Sequence, residues 1–323
     1  MPKVSVLIPV YKVEAYIERC ARSLFEQTLE DMEFVFVDDA SPDDSIRILQ
    51  ETISCYPKRV SQVRICKHDT NKGLTATRNT ALKAATGDFI AWCDSDDYVD
   101  IEMYGRLYEK AIKEKADVVY SDFFMVYPSC IEYSKTLDEN SDKVTFMKQY
   151  IAQSWTVLWN MIVDRKLALS HNLYSPYNVT YCEDFHLSVR LFHYAEKVVK
   201  VNDALYYYNR TNVSSVMHNL DNRAADDERR VYLDIISFFS ENKVLKNYQR
   251  EMAWRILKNK QDLVLSPQLH HEFMSIYPEA HKYIISCPIS FCNRKIKLFM
   301  WMLTHGLRQP LLMILGLRKV LGR

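Results

Sequence analysis

Glycine is scarce in this chain, with six residues in 323, at positions 73, 87, 105, 306, 316 and 322. Because Gly73 is the first of them, neither GxGxxG nor GxxxxGK[ST] can follow the first strand-like run. Main-chain amides therefore do not cradle a diphosphate there as they do in dehydrogenases and P-loop enzymes. The eight cysteines, at 20, 55, 66, 93, 130, 182, 287 and 292, form no CxxC pair and no Cys/His array at zinc spacing. They read as reduced, mostly buried thiols of a reducing compartment. No apolar run reaches the roughly 20 residues of a spanning helix. No Pro/Gly/Ser-rich linker or internal repeat divides the chain, so the second half is expected to pack on the first. Met1-Pro2-Lys3 enters a strand-like run at once and leaves no room for a signal peptide, which predicts a cytoplasmic location.

A strong net charge is also missing, but the formal +1 conceals a division. Beyond Glu279 the chain carries eight Lys or Arg and no acid; subtracting them from the 42 basic residues leaves 34 against 41 acidic ones. The body is acidic, which argues against nucleic acid as the partner, and the tail is basic.

Val4-Ser5-Val6-Leu7-Ile8, ended by Pro9, reads as a buried strand, and Ile17, Cys20, Ala21, Leu24 and Phe25 recur at helical spacing. Phe34-Val35-Phe36-Val37 repeats the strand. Ser41-Pro42-Asp43-Asp44 then supplies a cap, a first-turn proline and carboxylates for a helix running to about Tyr56. Strands at 63–66, 89–92 and 118–120 alternate with helices at 75–85, stopped by Gly87, and at 101–114. This alternation predicts an α/β fold with a doubly wound, mostly parallel sheet over about the first 120 residues. Residues 142–194 read as helical with a loop near Pro176, 198–201 and 205–208 as two short strands, and 222–265 as helix again.

In such a sheet, ligands gather at the carboxyl ends of the strands. The first strand ends in Pro9-Val10-Tyr11, the second in Asp38-Asp39, and the fourth in Asp94-Ser95-Asp96-Asp97. Carboxylates so placed repel one another unless a cation or hydrogen-bond donors compensate. Asp94-x-Asp96 suits hard Mg²⁺ or Mn²⁺, which takes one or two carboxylates plus substrate phosphates and stabilises charge on a departing nucleoside diphosphate. Asp39 is placed to accept the N–H of a pyrimidine and Tyr11 to pack against its ring.

These residues resemble the family 2 glycosyltransferases. The match runs through Val4-Ser5-Val6-Leu7-Ile8-Pro9-Val10-Tyr11, Val37-Asp38-Asp39-Ala40-Ser41, Asn71-Lys72-Gly73-Leu74-Thr75-Ala76-Thr77-Arg78-Asn79 and Gly87-Asp88-Phe89-Ile90-Ala91-Trp92-Cys93-Asp94-Ser95-Asp96-Asp97. The resemblance implies a GT-A fold and a transferase of the bacterial polysaccharide type. Pro9, Tyr11 and Asp39 would hold the nucleoside, with Asn71, Arg78, Asp94 and Ser95 also on the donor side. Asp96 would ligate Mn²⁺ or Mg²⁺ with Asp94; His218 is a candidate to complete the shell, although a lone histidine more often has a structural role. Ala40 stands where the family usually has glycine, a departure that costs backbone freedom.

Thr180-Tyr181-Cys182-Glu183-Asp184-Phe185 resembles the family's Glu-Asp segment, whose carboxylate acts as general base; Asp184 is the first choice and Glu183 the second. A helix N-terminus carrying acids to complement its dipole accounts for the same pair without catalysis. Trp159-Asn160 and Tyr206-Tyr207-Tyr208-Asn209-Arg210 resemble acceptor-side segments, although an aromatic strand is more often core. By this reading 1–121 binds the nucleotide sugar and 122–220 holds the acceptor and the base. Residues 221–323 form a helical extension with a basic amphipathic tail.

The expected reaction is an inverting transfer from a nucleoside diphosphate sugar, a UDP-sugar first, to a hydroxyl of a lipid-linked or surface glycan. The rivals are a metal-dependent nucleotidyltransferase, for which Val10-Tyr11-Lys12-Val13-Glu14 lacks the glycine-rich basic loop, and a non-catalytic sugar-nucleotide or glycan-binding module. In the tail, residues 294–323 interleave basic side chains with Trp, Phe, Leu and Met. They suit a segment lying on the anionic inner face of the cell membrane, or equally a terminal helix docked on the core or a second subunit.

Overall fold

The computed structural model describes residues 1–140, 142–153, 156–212 and 222–321; of residue 222 and residues 317–321 only the backbone is described. His218, the candidate third metal ligand, lies outside the described residues.

The apolar runs form strands for the reason their composition suggests. β1 (Val4–Val10) and β2 (Met32–Asp38) bury nearly every residue on both faces, as central parallel strands do. The intervening helix α1 (Ile17–Phe25) turns its Ile17–Cys20–Ala21–Leu24 stripe inward. It sets Phe25 edge-on to Phe34 at 5.3 Å and to Phe36 at 6.2 Å, alternate residues on one face of β2. After α2 (Ser45–Ser54) come β3 (Val63–Lys67), α3 (Leu74–Ala84) and β4 (Phe89–Trp92), then the two-residue β5 (Tyr98–Val99) and α4 (Met103–Glu114). β6 (Val118–Val126) pairs with the hairpin strand β7 (Ile131–Ser134). After α5 (Lys143–Ile151), β8 (Met161–Asp164) leads into α6 (Arg165–Ser170), α7 (Glu183–Tyr194) and β9 (Val198–Asn209).

The strands make one sheet in the order β3-β2-β1-β4-β8-β6-β9-β5, with β7 on β6. β1 to β4 are parallel to one another, and β8 runs antiparallel between β4 and β6. β1 therefore sits between β2 and β4, and the carboxyl ends of all three lie side by side.

Four local readings needed correction. Residues 142–194 are not all helical: Met161–Asp164 is a strand, because four apolar residues are too few for periodicity to separate strand from helix. Residues 198–201 and 205–208 are one strand, carried through polar Asn202 and Asp203 by a register shift against Ser121–Phe123 of β6. Ser41 does not cap α2, which begins at Ser45; Asp43 instead binds the Ser41 and Ser45 hydroxyls at 2.6 and 2.7 Å. Gly87 does not stop α3 in a left-handed turn. It is small because a Cβ there would lie 2.8 Å from the Ser5 main-chain nitrogen. Its own N–H donates to Ser5 Oγ, which in turn donates to buried Glu33 at 2.6 Å.

The chain divides into two compact units, Met1–Ser141 with Thr156–Asp221, and Asp142–Trp155 with Asn222–Arg323. The second unit is helical: α5, α8 (Asn222–Glu241), α9 (Leu245–Asn259), α10 (His270–Ser275), α11 (Arg294–Thr304) and α12 (Arg308–Leu321). Arg255 of α9 donates to the carbonyls of Ile151 and Gln153, satisfying acceptors that the end of α5 would leave orphaned. Among the described residues no helix is long and apolar enough to cross a membrane.

Candidate active site

The loop after β1 is tied to the loop after β2. Lys12 and Val13 donate their N–H groups to the Ser41 and Ser45 hydroxyls at 2.8 and 3.0 Å, and Glu14 donates to Asp43 at 3.1 Å. This holds Tyr11 at the strand end, 40% exposed, with the Lys12 ammonium 5.3 Å from its ring centre. Pro9 pairs with Val37 one step before the end of β1.

Asp39 is almost fully buried, and its carboxylate is largely committed. It accepts from the N–H groups of Lys72 and Gly73 at 2.8 and 2.9 Å and from His68 Nδ1 at 2.6 Å. His68 reaches on to the Thr80 hydroxyl at 2.9 Å. Asp39 thereby docks the Asn71-Lys72-Gly73 loop onto β2 and leaves Asn71 exposed beside it. Counting about four lone-pair positions on a carboxylate, one stays open. The sequence reading missed His68, although it follows β3 at the same edge where the strand-end rule found the aspartates. Ala40, next to Asp39, holds a φ of 54°, the conformation for which glycine is favoured. Lys12 beside Tyr11 and Cys182 before Glu183 are left-handed as well, at 55° and 70°.

Arg78 is the hub. From α3, 2% exposed, its Nη1 donates to Glu183 at 2.9 Å and to Asp184 at 2.6 Å, and its Nη2 donates to Asp94 at 3.0 Å. Three carboxylates face one guanidinium, so negative charge is in excess. Burial and the Asp184 charge push Glu183 well above the ordinary carboxylate range, while Arg78 pulls it back. Burial also raises Asp184, while Arg78 pulls it back. The acids at the start of α7 do face its dipole, but they converge on a residue more than 100 positions earlier, which a solvated helix cap would not do.

Asp94 and Asp96 are half-buried at the end of β4, with Ser95 buried between them. Burial first, and repulsion from Asp94 second, push Asp96 up to about 6, while the Asn212 amide pulls it back. Two close carboxylates offering oxygen alone fit a hard divalent ion. Among the described residues no group of three or more His, Cys, Asp or Glu that could hold a metal occurs. Asp97 turns away, fully buried, onto the Tyr206 hydroxyl and the Asn209 N–H. Of the segments expected on the acceptor side, Trp159, Asn160 and Tyr206 are core, with Tyr206 stacked on Trp159 at 4.3 Å, while Tyr207, Tyr208 and Arg210 are half-buried.

Comparison with known proteins bears on the family and the fold. The model of "Glycosyl transferase family 2" matches residues 5–180. The glycosyltransferase EpsJ of Bacillus subtilis (strain 168) is 31% identical over 248 residues, covering 74% of this chain and 70% of EpsJ. The solved structure of S. aureus TarS 1–349 in complex with UDP-GlcNAc superposes with a TM-score of 0.69 at 19% identity, covering 95% of this chain and 92% of TarS. The mannosyltransferase PcManGT from Pyrobaculum calidifontis, solved with GDP-Man and Mn²⁺, superposes with a TM-score of 0.56 at 14% identity, covering 99% and 87%. With a family model spanning more than half its length and a GT-A sheet beneath the site, the chain belongs to glycosyl transferase family 2 and is a glycosyltransferase.

Proposed function

We propose that this glycosyltransferase moves a sugar from a UDP-sugar to a hydroxyl of a glycan or lipid-linked acceptor in polysaccharide synthesis, with inversion. One observation carries the reading: a single guanidinium, Arg78, draws the donor-side carboxylate Asp94 and the Glu183–Asp184 pair to one point. Tyr11 offers its ring to the uracil, Pro9 shapes the strand end beneath it, and Asp39 keeps one acceptor position for the base. Asn71 lies beside the donor. The contact with the diphosphate rests on Asp94 and Asp96, because the Ser95 hydroxyl is buried. A Mn²⁺ or Mg²⁺ ion held by these two aspartates would neutralise the departing diphosphate.

Asp184 is the base. Arg78 donates to both acids but more closely to Asp184, at 2.6 Å against 2.9 Å for Glu183, and its charge favours the ionised form that a base needs. Asp184 takes the acceptor proton as the acceptor oxygen bonds to the anomeric carbon, and the bond from that carbon to the diphosphate oxygen breaks. One base and one displacement invert the centre.

The same reading places the tail on an anionic bilayer. Leu298 of α11 is 51% exposed beside Arg294 and Lys295, and Met313 of α12 is 68% exposed, in a stretch that carries no acid. Two copies of so basic a segment would repel each other, which disfavours a dimer through this face.

The donor is tested by metal-dependent thermal stabilisation across UDP- and GDP-sugars, followed by assay of sugar release. Stabilisation by UDP-sugars with Mn²⁺ is expected, and none with any nucleotide sugar would remove the proposal. The tail is tested by sedimentation with phosphatidylcholine vesicles with and without phosphatidylglycerol. Binding only to the anionic vesicles, lost in Met313→Ser/Leu298→Ser, is expected; equal sedimentation with both would refute the charge argument.

A further inference from the structure

The last aspartate of Asp94-Ser95-Asp96-Asp97 is 0% exposed and cannot meet substrate. Burying a carboxylate is costly unless its oxygens are hydrogen-bonded, and here both are. Oδ2 accepts from the Tyr206 hydroxyl at 2.7 Å, and Oδ1 accepts from the Asn209 N–H at 2.7 Å. The Tyr206 oxygen has a second task, accepting the N–H of Asp94 at 3.1 Å. At the end of the same strand Asn209 Nδ2 donates to the Asp96 carbonyl at 3.0 Å, and just beyond it Asn212 Nδ2 donates to Asp96 Oδ2 at 2.8 Å. Tyr206, Asn209 and Asn212 recur at every third position and grip the loop at three places: the peptide of Asp94, the peptide of Asp96, and one oxygen of Asp96. Arg78 and Arg19 hold the loop from other sides, at Asp94 Oδ1 and the Asp96 carbonyl, but among the described residues only the hydrogen bond of Asn212 reaches the Asp96 carboxylate from another residue's side chain.

We propose that Tyr206, Asn209 and Asn212 are positioning residues of the donor site, and that Asn212 fixes Asp96 so that its other carboxylate oxygen is presented to the divalent ion. The inference rests on the assignment of Asp94 and Asp96 to the ion and diphosphate. It adds that the end of β9 sets their geometry. Groups that orient a metal ligand through its second oxygen typically change metal affinity by about 10–100-fold when removed.

The test is Mn²⁺ titration of the full chain with UDP present, read by the electron-spin signal of free Mn²⁺, together with donor KM and kcat. Asn212→Ala is expected to weaken Mn²⁺ about tenfold and to raise donor KM to a similar extent, while kcat at saturating Mn²⁺ and donor changes less than about threefold. Tyr206→Phe keeps the ring stacked on Trp159 and loses only the hydroxyl, so a smaller loss of the same kind is expected, with a lowered melting temperature from the unpaired oxygen of Asp97. Asp96→Ala serves as the reference and should abolish Mn²⁺ binding. If Asp96→Ala abolishes binding while Asn212→Ala and Tyr206→Phe leave Mn²⁺ affinity and KM at wild-type values, the positioning role is refuted and the ion assignment stands. If the wild-type chain does not bind Mn²⁺, or Asp96→Ala binds it normally, the ion assignment fails and the positioning role falls with it.

Discussion

Arg78 in the sheet unit and Lys260 in the helical unit are both buried cations, 2% and 0% exposed, yet their surroundings are opposite. Arg78 meets three carboxylates, which hold its charge firmly in place. Lys260 meets only neutral acceptors: the carbonyls of Phe273 and Ile276 at 3.1 and 2.6 Å, and His281 Nε2 at 2.8 Å. Burial lowers Lys260 to about 7, and burial together with Lys260 lowers His281 to about 4. The comparison separates two uses of a buried polar group. The first gathers charge beyond what it can neutralise and is poised for a ligand; the second satisfies carbonyls at chain reversals and gives up its proton.

The largest effect should come from Arg78→Ala. The acidic cluster of Asp94, Glu183 and Asp184 would lose its buried counter-charge, so transfer should fall by roughly 10³-fold, and thermal denaturation should report a loss of about 3–5 kcal/mol. Unchanged turnover would break the comparison on the sheet side.

The second effect lies in the helical unit and concerns pH. The native pKa of Lys260 is depressed to about 7 from the ordinary 10.5, so between those values the unfolded chain binds a proton that the native state does not. Stability should therefore rise with pH across this window, by roughly a few kcal/mol in total, and Lys260 should contribute no slope below it. Denaturant melts at pH 7, 8.5 and 10 measure the slope. Lys260→Met should flatten it while leaving transfer unaltered, whereas a slope that survives would give the titration to other groups.

The smallest is Ala40→Gly. Relief of the left-handed strain, less the added freedom of the unfolded chain, should stabilise by about 0.5–1 kcal/mol without changing kcat. A loss of stability would mean that the strain at Ala40 is not a cost.

The same division governs what the sequence made legible. β1, β2 and β4 could be read because a strand buried on both faces is continuously apolar, and their terminal aspartates because strand ends are where ligands gather. Tyr11, Asp94 and Asp96 followed from that rule. Arg78 as a hub did not, since its partners Glu183 and Asp184 lie 105 and 106 residues away and only the tertiary fold brings them in. The roles of His68, Asn209 and Asn212 escaped as well. Asn209 stood in the aromatic segment read as acceptor-side, and none of the three carries a sequence signal for the loop it touches, which lies 29 or more residues away. The Gly87 packing on Ser5 and the short β8 escaped because both depend on a neighbouring strand distant in sequence.

The most direct measurement is turnover and UDP–Mn²⁺ affinity in Asp184→Asn, which keeps the shape of the side chain and removes its basicity. If Arg78 joins a donor site to a proton acceptor, affinity should stay within about threefold of wild type while kcat falls by about 10²–10⁴. Near-normal turnover would contradict the account by removing Asp184 from the chemistry.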